Sequence, residues 1–312
     1  MDSTVANRAK LYVLHENPEW YAPLAAAFDS AGLPHEQWLL GEAVLDLDSE
    51  PPPGIFWSRM SASAHTRGHS FAKDQTRGVL AWLESHGRRV VNGRRVLDLE
   101  MSKVEQLAAL RAAGFDVPRT VAVAGRGELA AAARKLPVPF IAKHNQGGKG
   151  LGVRLFASHA DFDDYLAGPQ YEAPVDGITL LQEYLDAALP QITRVEIVGG
   201  EFIYAITADT ARGGFQLCPA DACAIGPSPE PSLFSLRAGF AHPVIGRYLE
   251  FAAAHGIAIA GFEFIETADD RLVTYDINTT TNYNAEIEAV APSPALPAVA
   301  GYLGGLLAQA GR

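Results

Sequence analysis

Over about the first hundred residues, short apolar runs of strand length alternate with segments that have helical periodicity. This alternation is typical of βαβ units, in which parallel strands form a sheet with helices on both faces. We therefore predict a small parallel α/β domain in this part of the chain. Its predicted strands are Leu11–Leu14, Trp38–Leu40, Ile55–Trp57 and Arg89–Val91, and its predicted helices are Trp20–Ala31, ended by Gly32, and Ala72–Ser85, ended by Gly87.

The rest of the chain has strands joined by tight turns, a pattern that predicts antiparallel hairpins. Ser102 and Glu105 form a capping box, which begins a helix through Ala113 that ends at Gly114. A further helix is predicted over Val244–His255. The predicted strands are Pro139–His144, Gly152–Phe156, Ile178–Leu185, Arg194–Val198, Glu201–Thr207, Ile257–Glu266 and Leu272–Ile277.

The chain has 312 residues, more than one hydrophobic core usually organises, so two or three lobes around a cleft are expected. Its formal net charge of −11, without a clustered Lys/Arg surface, argues against nucleic acid as a partner. The apolar stretch 295–308 is too short to span a bilayer, and Leu11–Leu14 is too short for a signal peptide. With Cys218 and Cys223 predicted to be reduced, we expect a cytoplasmic enzyme without a membrane partner.

Lys143 lies in an apolar predicted strand, and a glycine-rich run, 146–153, follows this strand almost directly. An apolar strand rarely holds a charge in its interior without a partner. Backbone N–H groups of a glycine-rich loop can hold phosphate oxygens, and a lysine ammonium binds them as a point charge. Because another strand follows, we predict a nucleotide-binding loop at the tip of a hairpin.

Two acidic residues and an asparagine are predicted to converge near the C-terminal end. Glu263 and Asp276 lie at similar distances from a turn at Asp269-Asp270, so they should face each other across a hairpin. Asn278 follows Asp276 by two residues and therefore points to the same face of its strand. Oxygen ligands of these types suit Mg²⁺, and two close carboxylates repel each other unless a cation lies between them. A solvated turn is the competing interpretation, which the apolar flanks disfavour.

Five short motifs follow one another along the chain. They are Val117-Pro118-Arg119-Thr120, Phe140-Ile141-Ala142-Lys143, Leu181-Gln182-Glu183-Tyr184-Leu185, Arg194 before Val198-Gly199-Gly200, and Gly261-Phe262-Glu263 with Asp276-Ile277-Asn278. In this order the chain resembles the ATP-grasp superfamily, especially the branch of ribosomal-protein glutamate ligases and glutathione synthetases. The resemblance implies a three-lobed α/β fold, in which two α+β lobes clasp ATP. The implied domains are a small parallel α/β N-terminal domain at 1–100, a lid lobe with the glycine-rich loop at 101–183, and a C-terminal lobe with metal-binding strands at 184–312.

The resemblance also implies roles for individual residues. The implied phosphate-binding residues are Lys103, Lys143, Gly147, Gly148 and Gly150, the adenine- and sugar-binding residues are Gln182, Glu183, Tyr184, Leu185 and Asp186, the metal ligands are Glu263, Asp276 and Asn278, and the catalytic residues are Arg194 and Lys149. Simpler interpretations stay open for some of them. Lys103 could be a surface lysine, 183–185 a plain core strand, and Arg194 the partner of Glu196 or Glu201 in a salt bridge.

Substrate recognition is less well determined. Arg59 follows a predicted strand of the first lobe, where parallel sheets bind ligands, and its guanidinium could hold a substrate carboxylate; a solvated loop arginine is the alternative. The segment 61–67 after it is a candidate anion-binding loop. Asn282 and Asn284 lie in a polar segment that is predicted to shape the acceptor pocket. Ile192 stands where relatives often carry an aspartate, so the substrates of relatives cannot be inherited.

The implied function is ATP-dependent ligation of a carboxylate to an amine through an acyl phosphate, with release of ADP and phosphate. ATP and Mg²⁺ are the implied cofactors, with Mn²⁺ as an alternative metal, and the partners are a small-molecule or peptide carboxylate and an amine. Two alternatives remain open: a small-molecule kinase or carboxylate activator with another nucleophile, and a catalytically silent nucleotide-binding module. The sequence identifies neither substrate, and it leaves open whether the chain forms a homo-oligomer.

Overall fold

Three β-sheets organise the chain: a parallel sheet of four strands, an antiparallel sheet of four strands and an antiparallel sheet of five strands. The structure is a computed structural model that describes residues 9–41, 43–148, 150, 152–214 and 232–310. The predictions for Lys149, Cys218 and Cys223 lie outside these residues. Within the described ranges, no helix combines the length and the apolar character that crossing a membrane requires.

The N-terminal sheet is parallel, as predicted. Its elements are β1 Lys10–His15, α1 Pro18–Ser30, β2 His35–Leu39, β3 Gly54–Ser58, a short 3-10 helix at Ala64–Arg67, α2 Ala72–Ser85 and β4 Arg89–Val91, and the strand order is β2-β1-β3-β4. Successive side chains of β1 point to opposite faces. Leu11 and Val13 pack in the core with α1, whereas Tyr12 and Leu14 pack in the core with α2. The predicted helices on both faces of the sheet are therefore confirmed.

Two consecutive helices, α3 Arg94–Met101 and α4 Lys103–Ala112, lead out of this sheet. Ser102 lies between them and caps α4, because its hydroxyl accepts a hydrogen bond from the backbone N–H of Glu105 at 3.3 Å. The Glu105 carboxylate, which a capping box would direct back to Ser102, accepts from Arg95 at 2.7 Å. The sequence pattern does not predict α3, because eight residues form only about two turns and give little periodicity.

The middle sheet carries the glycine-rich run. Its elements are β5 Thr120–Ala124, α5 Leu129–Ala133, β6 Phe140–His144, β7 Arg154–Phe156, α6 His159–Ala167 and β8 Ile178–Glu183, and the strand order is β5-β8-β6-β7. The strands β6 and β7 pair in antiparallel register, with Ala142 opposite Arg154. The glycine-rich run therefore joins them at the tip of a hairpin, as predicted.

The five-stranded sheet contains the two predicted hairpins of the C-terminal half. Its elements are β9 Gln191–Val198, β10 Glu201–Asp209, α7 Thr210–Gly213, β11 Phe234–Leu236, α8 Val244–His255, β12 Ile259–Glu266 and β13 Leu272–Asn278, followed by α9 Ala285–Val290 and α10 Ala295–Ala310. The strand order is β11-β10-β9-β12-β13. Gly199 and Gly200 turn the β9–β10 hairpin with φ of 62° and 86°, a conformation that favours glycine.

The hydrophobic cores extend from one sheet to the next. Val299 and Leu303 of α10 belong to the core beneath the N-terminal sheet, and Leu107 and Leu110 of α4 pack in the same core as Phe262 of β12. The N-terminal sheet and the C-terminal helix α10 thus share one buried apolar core, which holds these two parts of the chain together. The domain boundaries at residues 100 and 183 stay predictions.

Candidate active site

A cavity of about 440 Å³ is lined by strand residues of both antiparallel sheets and, on the N-terminal side, by residues of α1 and of the loop after β3. It contains most of the residues to which the sequence assigns a role. They are Lys103, Lys143, Gly147, Gly148, Gly150, Gln182, Glu183, Tyr184, Leu185, Arg194, Glu263, Asp276, Asn278 and Asn282. The folded chain therefore brings together residues as far apart in the sequence as Lys103 and Asn282.

Glu263 and Asp276 face each other across the β12–β13 hairpin, as predicted. A β-bulge shifts the register between Glu263 and Phe264, so that Tyr275 is the additional residue on β13. Tyr275 lines the cavity, and its hydroxyl donates to Glu263 Oε2 at 2.7 Å. Asn278 donates from Nδ2 to Glu263 Oε1 at 2.8 Å. The three predicted metal ligands therefore lie together. Tyr275, which the sequence did not single out, contacts one of them.

Two lysines lie beside this acidic pair. Lys103, in the first turn of α4, places its Nζ 2.5 Å from Asp276 Oδ1, so the surface-lysine interpretation is wrong. Lys143 on β6 is 7% exposed. Burial, and then the charge of Lys103, lower the pKa of Lys143 to about 7. For Lys103, burial also lowers the pKa, but attraction to Asp276 outweighs it and raises the pKa above the usual value.

The two carboxylates respond differently to the same surroundings. Burial, and then repulsion by Asp276, raise the pKa of Glu263 despite the nearby charge of Arg194. Burial acts to raise the pKa of Asp276 as well, but Lys103 and Lys143 together outweigh it and lower this pKa. Asp276 is therefore the more firmly ionised of the two acids.

Arg194 on β9 is buried and lies between several partners. Its Nε is 2.7 Å from Glu196 Oε1, its NH2 donates to the hydroxyl of Thr281, and its NH1 is 3.6 Å from Glu263 Oε1. The salt bridge of the alternative interpretation is therefore present, with Glu196 as the partner, and Arg194 also lines the cavity. A Cβ on Gly261 would overlap Arg194 Nε, so glycine is needed there for the guanidinium to reach the acids. The catalytic role of Arg194 stays a prediction.

The segment after β8 forms one end of the cavity. Gln182 donates from Nε2 to Thr120 Oγ1 at 3.0 Å, and Glu183 Oε1 accepts from the backbone N–H of Arg119 at 2.8 Å. Tyr184 and Leu185 follow the last residue of the strand and line the cavity. The carbonyl of Asp186 accepts from the backbone of Ala268 at 2.9 Å. Apolar walls come from Ile141, Leu155 and Ile265.

The glycine-rich loop rests against the N-terminal lobe. Gln146 accepts from Lys73 Nζ at 2.7 Å and donates to the carbonyl of Ala62 at 3.3 Å. Gly150 and Gly152 have φ of 65° and 74°, which favour glycine. Gly147, Gly148 and Gly150 line the cavity, so the described part of the loop forms one of its walls.

The residues predicted to bind substrate take different positions. Arg59 is 3% exposed, and its NH2 donates to the carbonyl of Thr281 at 2.6 Å and to Asn282 Oδ1 at 3.0 Å. Asn284 caps α9, because its Oδ1 accepts from the backbone N–H groups of Glu286 and Ile287. Arg59 is therefore not a solvated loop arginine. It holds the segment that carries Asn282, whereas contact of these side chains with a substrate stays a prediction.

Several cavity residues are not singled out by any pattern in the sequence. Glu100 accepts from the backbone and hydroxyl of Thr279 at 3.0 and 2.7 Å, and burial raises its pKa. Gln106 bonds both backbone groups of Ile277, at 3.0 Å each. The N-terminal lobe forms one wall of the cavity, which we call the first-lobe wall. In this wall, only the segment 61–67 had a role predicted from the sequence. The other cavity residues without a predicted role include Trp20, Gln191, Thr210 and Tyr275.

The donor set at the acidic pair fits a hard divalent cation. No cluster of three or more His, Cys, Asp or Glu side chains suited to a metal occurs in the described part of the chain. The predicted set has two carboxylates and one amide, and in this structure Lys103 and Arg194 compensate the carboxylates. The amide of Asn278 points its donor at Glu263. Its oxygen would face an ion after rotation of the amide, which completes three oxygen ligands.

No family model and no curated protein matches the sequence. Solved structures do match. The ATP-grasp ligase PsnB, in complex with a minimal precursor, has a TM-score of 0.65 and 15% identity, with 95% of this chain and 98% of that chain covered. An ATP-grasp RimK domain protein from Sphaerobacter thermophilus has a TM-score of 0.65 and 17% identity, with 94% and 99% covered. The D-cycloserine synthetase DcsG has a TM-score of 0.64 and 17% identity, with 95% and 99% covered.

Other structures of PsnB hold Mg and ADP, or a precursor peptide and AMPPNP. At these identities the similarity establishes the fold, over the 94–95% of this chain that the alignments cover. The parallel N-terminal sheet and the two antiparallel sheets that line the cavity agree with the fold class that the sequence predicts. This chain has the ATP-grasp fold.

Proposed function

We propose that the protein is an ATP-dependent ligase that joins a carboxylate to an amine. The observation that carries the proposal is the charge arrangement in the cavity, where Lys103 and Lys143 lie beside the facing pair Glu263 and Asp276. A triphosphate needs cations, and two facing carboxylates need a cation between them. The fold neighbours named as ATP-grasp ligases support the same class of reaction.

The nucleotide would lie with its adenine at the end of β8. The apolar side chains of Ile141, Leu155 and Ile265 suit the faces of a flat ring. The backbone groups of Tyr184 and Leu185 come after the last strand residue, which frees them for the polar edge of the adenine. The phosphates would then extend toward Lys143 under the glycine-rich loop.

Glu263, Asp276 and Asn278 would hold one or more Mg²⁺ or Mn²⁺ ions. When bound, such an ion supplies positive charge to phosphate oxygens. The PsnB structure that contains Mg and ADP supports this assignment for the fold. Tyr275 and Arg194, which both touch or approach Glu263, would fix the orientation of that carboxylate.

The reaction would proceed in two transfers. A carboxylate oxygen of the first substrate attacks the γ-phosphorus of ATP, the bond to the β–γ bridging oxygen breaks, and ADP leaves with the electron pair. Lys103 and Lys143 offset the negative charge on the phosphates during this transfer. The amine then attacks the carbonyl carbon of the acyl phosphate, loses a proton to solvent, and expels phosphate to leave an amide.

Release of ADP with a panel of acids and amines tests the proposal. We expect release that requires one acid together with one amine, in equal amounts with phosphate and amide. Release that a single hydroxyl compound stimulates would support a kinase instead. Binding of nucleotide without stimulated release by any compound would support a silent module.

A matched pair of lysine variants tests the charge arrangement itself. Lys103→Ala should weaken binding of MgAMPPNP by about tenfold or more, because one charged contact to the phosphates is lost. Lys10→Ala is the control, since Lys10 pairs with Glu36 on the surface at 3.0 Å and does not line the cavity. Equal affinity in the two variants would contradict the assignment of Lys103.

A further inference from the structure

The first-lobe wall of the cavity contains a pair of serines that the proposed reaction does not use. Ser61 and Ser63 are 7% and 1% exposed, and both line the cavity. Their Oγ atoms are 2.9 Å apart, so the two hydroxyls are bonded to each other. Buried hydroxyls that face a cavity are candidates for contact with a ligand.

One hydroxyl hydrogen of this pair is left over. Arg67 NH1 donates to Ser63 Oγ at 3.0 Å, and the backbone N–H of Ser63 donates to Ser61 Oγ at 3.2 Å. A guanidinium only donates, and each hydroxyl has one hydrogen and two acceptor lone pairs. Whichever serine donates in the mutual bond, the other hydrogen has no acceptor among the residues that the structure describes. The pair therefore offers one donor to a group in the cavity.

The buried carboxylate of Glu16 holds Arg67, whose guanidinium donates to Ser63. Glu16 is 1% exposed, and it accepts from Arg67 Nε at 3.1 Å and from Arg67 NH2. The Nδ1 of His69 is 2.9 Å from the same carboxylate. The guanidinium also lies 4.5 Å above the ring of Trp20, which lines the cavity. Donation by a charged group polarises the serine hydroxyls and strengthens the donor they present.

The serine pair lies next to the tip of the glycine-rich loop. An added Cβ on Gly148 would be 3.3 Å from the Cβ of Ser63. In the proposed function this loop covers the phosphates, so the free donor lies near the place where the carboxylate must meet the γ-phosphate. A hydrogen-bond donor at that place suits an oxygen of the carboxylate, both before and after it is phosphorylated.

We propose that Ser61 and Ser63 form a subsite that donates a hydrogen bond to a carboxylate oxygen of the acyl substrate. Glu16 and Arg67 are positioning residues, which orient the serine donor without touching the substrate. Trp20 forms the adjacent wall, and its ring suits a flat or apolar group next to the carboxylate. This inference rests on the proposed function for the identity of the substrate as an acid, but the subsite can be tested without turnover.

Titration calorimetry of the protein saturated with MgADP tests the subsite, with acetate, benzoate and hippurate as probes. We expect at least one probe to bind the wild type in the millimolar range. Ser61→Ala combined with Ser63→Ala should weaken that binding by about tenfold or more. Glu16→Gln and Arg67→Lys should weaken it by about threefold or more while leaving the affinity for ADP unchanged. A general structural defect would change both affinities.

Ser30→Ala is the matched control, because the Ser30 hydroxyl is exposed and donates within α1 to the carbonyl of Ala26. Unchanged probe affinity in the double serine variant would overturn the subsite, as would failure of all three probes to bind the wild type. Failure of ADP to bind the wild type would instead overturn the proposed function. In that case the same probes and variants are titrated without nucleotide, and equal affinities there would overturn the subsite independently.

Discussion

Binding of a nucleotide should be accompanied by uptake of a proton at Lys143. Burial and the charge of Lys103 lower the pKa of Lys143 from 10.5 to about 7. A shift of this size corresponds to about 5 kcal/mol of unfavourable free energy for the charged form. A triphosphate beside the two lysines supplies compensating negative charge, so the pKa of Lys143 should rise when the nucleotide binds.

The sign and size of the pH dependence follow from this shift. At pH 6 most of the free protein already carries a charged Lys143, so binding of the nucleotide takes up only a small fraction of a proton. At pH 8 about nine molecules in ten have a neutral Lys143, so binding takes up about 0.9 proton. Only the charged form of Lys143 binds the phosphates well. The affinity for MgAMPPNP should therefore fall by about tenfold between pH 6 and pH 8, and by about tenfold again by pH 9.

Calorimetric titration with MgAMPPNP at pH 8, in two buffers that differ in ionisation enthalpy, measures the proton uptake directly. Lys143→Arg is the matched control, because a guanidinium stays charged over this pH range and should abolish the uptake. The uptake by Lys143→Arg is subtracted from the uptake by the wild type. This subtraction also removes the protons that the nucleotide phosphates exchange, because both proteins bind the same nucleotide. Uptake near zero in the wild type, or equal uptake in Lys143→Arg, would show that Lys143 does not take up a proton when the nucleotide binds.

Gly261→Ala should lower the rate of ADP release by about tenfold or more, because the added methyl group overlaps Arg194 Nε and displaces the guanidinium. Asp276→Asn combined with Asn278→Ala should abolish turnover without loss of cooperative thermal unfolding, as measured by circular dichroism and product assay. Lys143→Met should raise the free energy of urea unfolding at pH 7 by about 1 kcal/mol or more, because it removes a charge that burial disfavours.

The first of these variants has a matched control on α8, and each of the other two has a result that would contradict it. Gly246→Ala matches Gly261→Ala, since Gly246 is exposed on α8 and a Cβ there meets open space. Equal rates in the two alanine variants would show that Arg194 is not displaced or not needed. Mg²⁺-dependent turnover in the double variant would remove Asp276 and Asn278 as ligands. A lower free energy of unfolding in Lys143→Met would mean that Lys143 stabilises the fold.

Much of the fold could be predicted because local patterns determine it. The alternation along β1 sends Leu11 and Tyr12 to different cores, and apolar periodicity over Ala72–Ser85 gives α2 with its observed bounds. The facing pair Glu263 and Asp276 also followed from counting along a hairpin. The count did not include the β-bulge at Tyr275, so it reached the right pair without the tyrosine that bonds to it.

The rest of the site depends on contacts between distant parts of the chain. The bond from Arg59 to the carbonyl of Thr281 joins residues 222 positions apart, and no periodicity encodes such a partner. Glu16 illustrates the same difficulty, since a single acid after a strand gives no sign that it will be buried against Arg67. Hydrophobic patterns specify which face of an element is buried, whereas the partners of buried polar groups are set by the assembled fold.

The proposed function requires β12 and β13 to hold a divalent ion against the phosphates of the nucleotide. Titration of Mn²⁺ followed by electron paramagnetic resonance, in the presence of AMPPNP, measures whether they do. We expect Asp276→Asn combined with Asn278→Ala to weaken Mn²⁺ binding in the nucleotide complex by about tenfold or more. Mn²⁺ affinity equal to that of the wild type, with AMPPNP bound in both proteins, would show that these residues do not hold the ion.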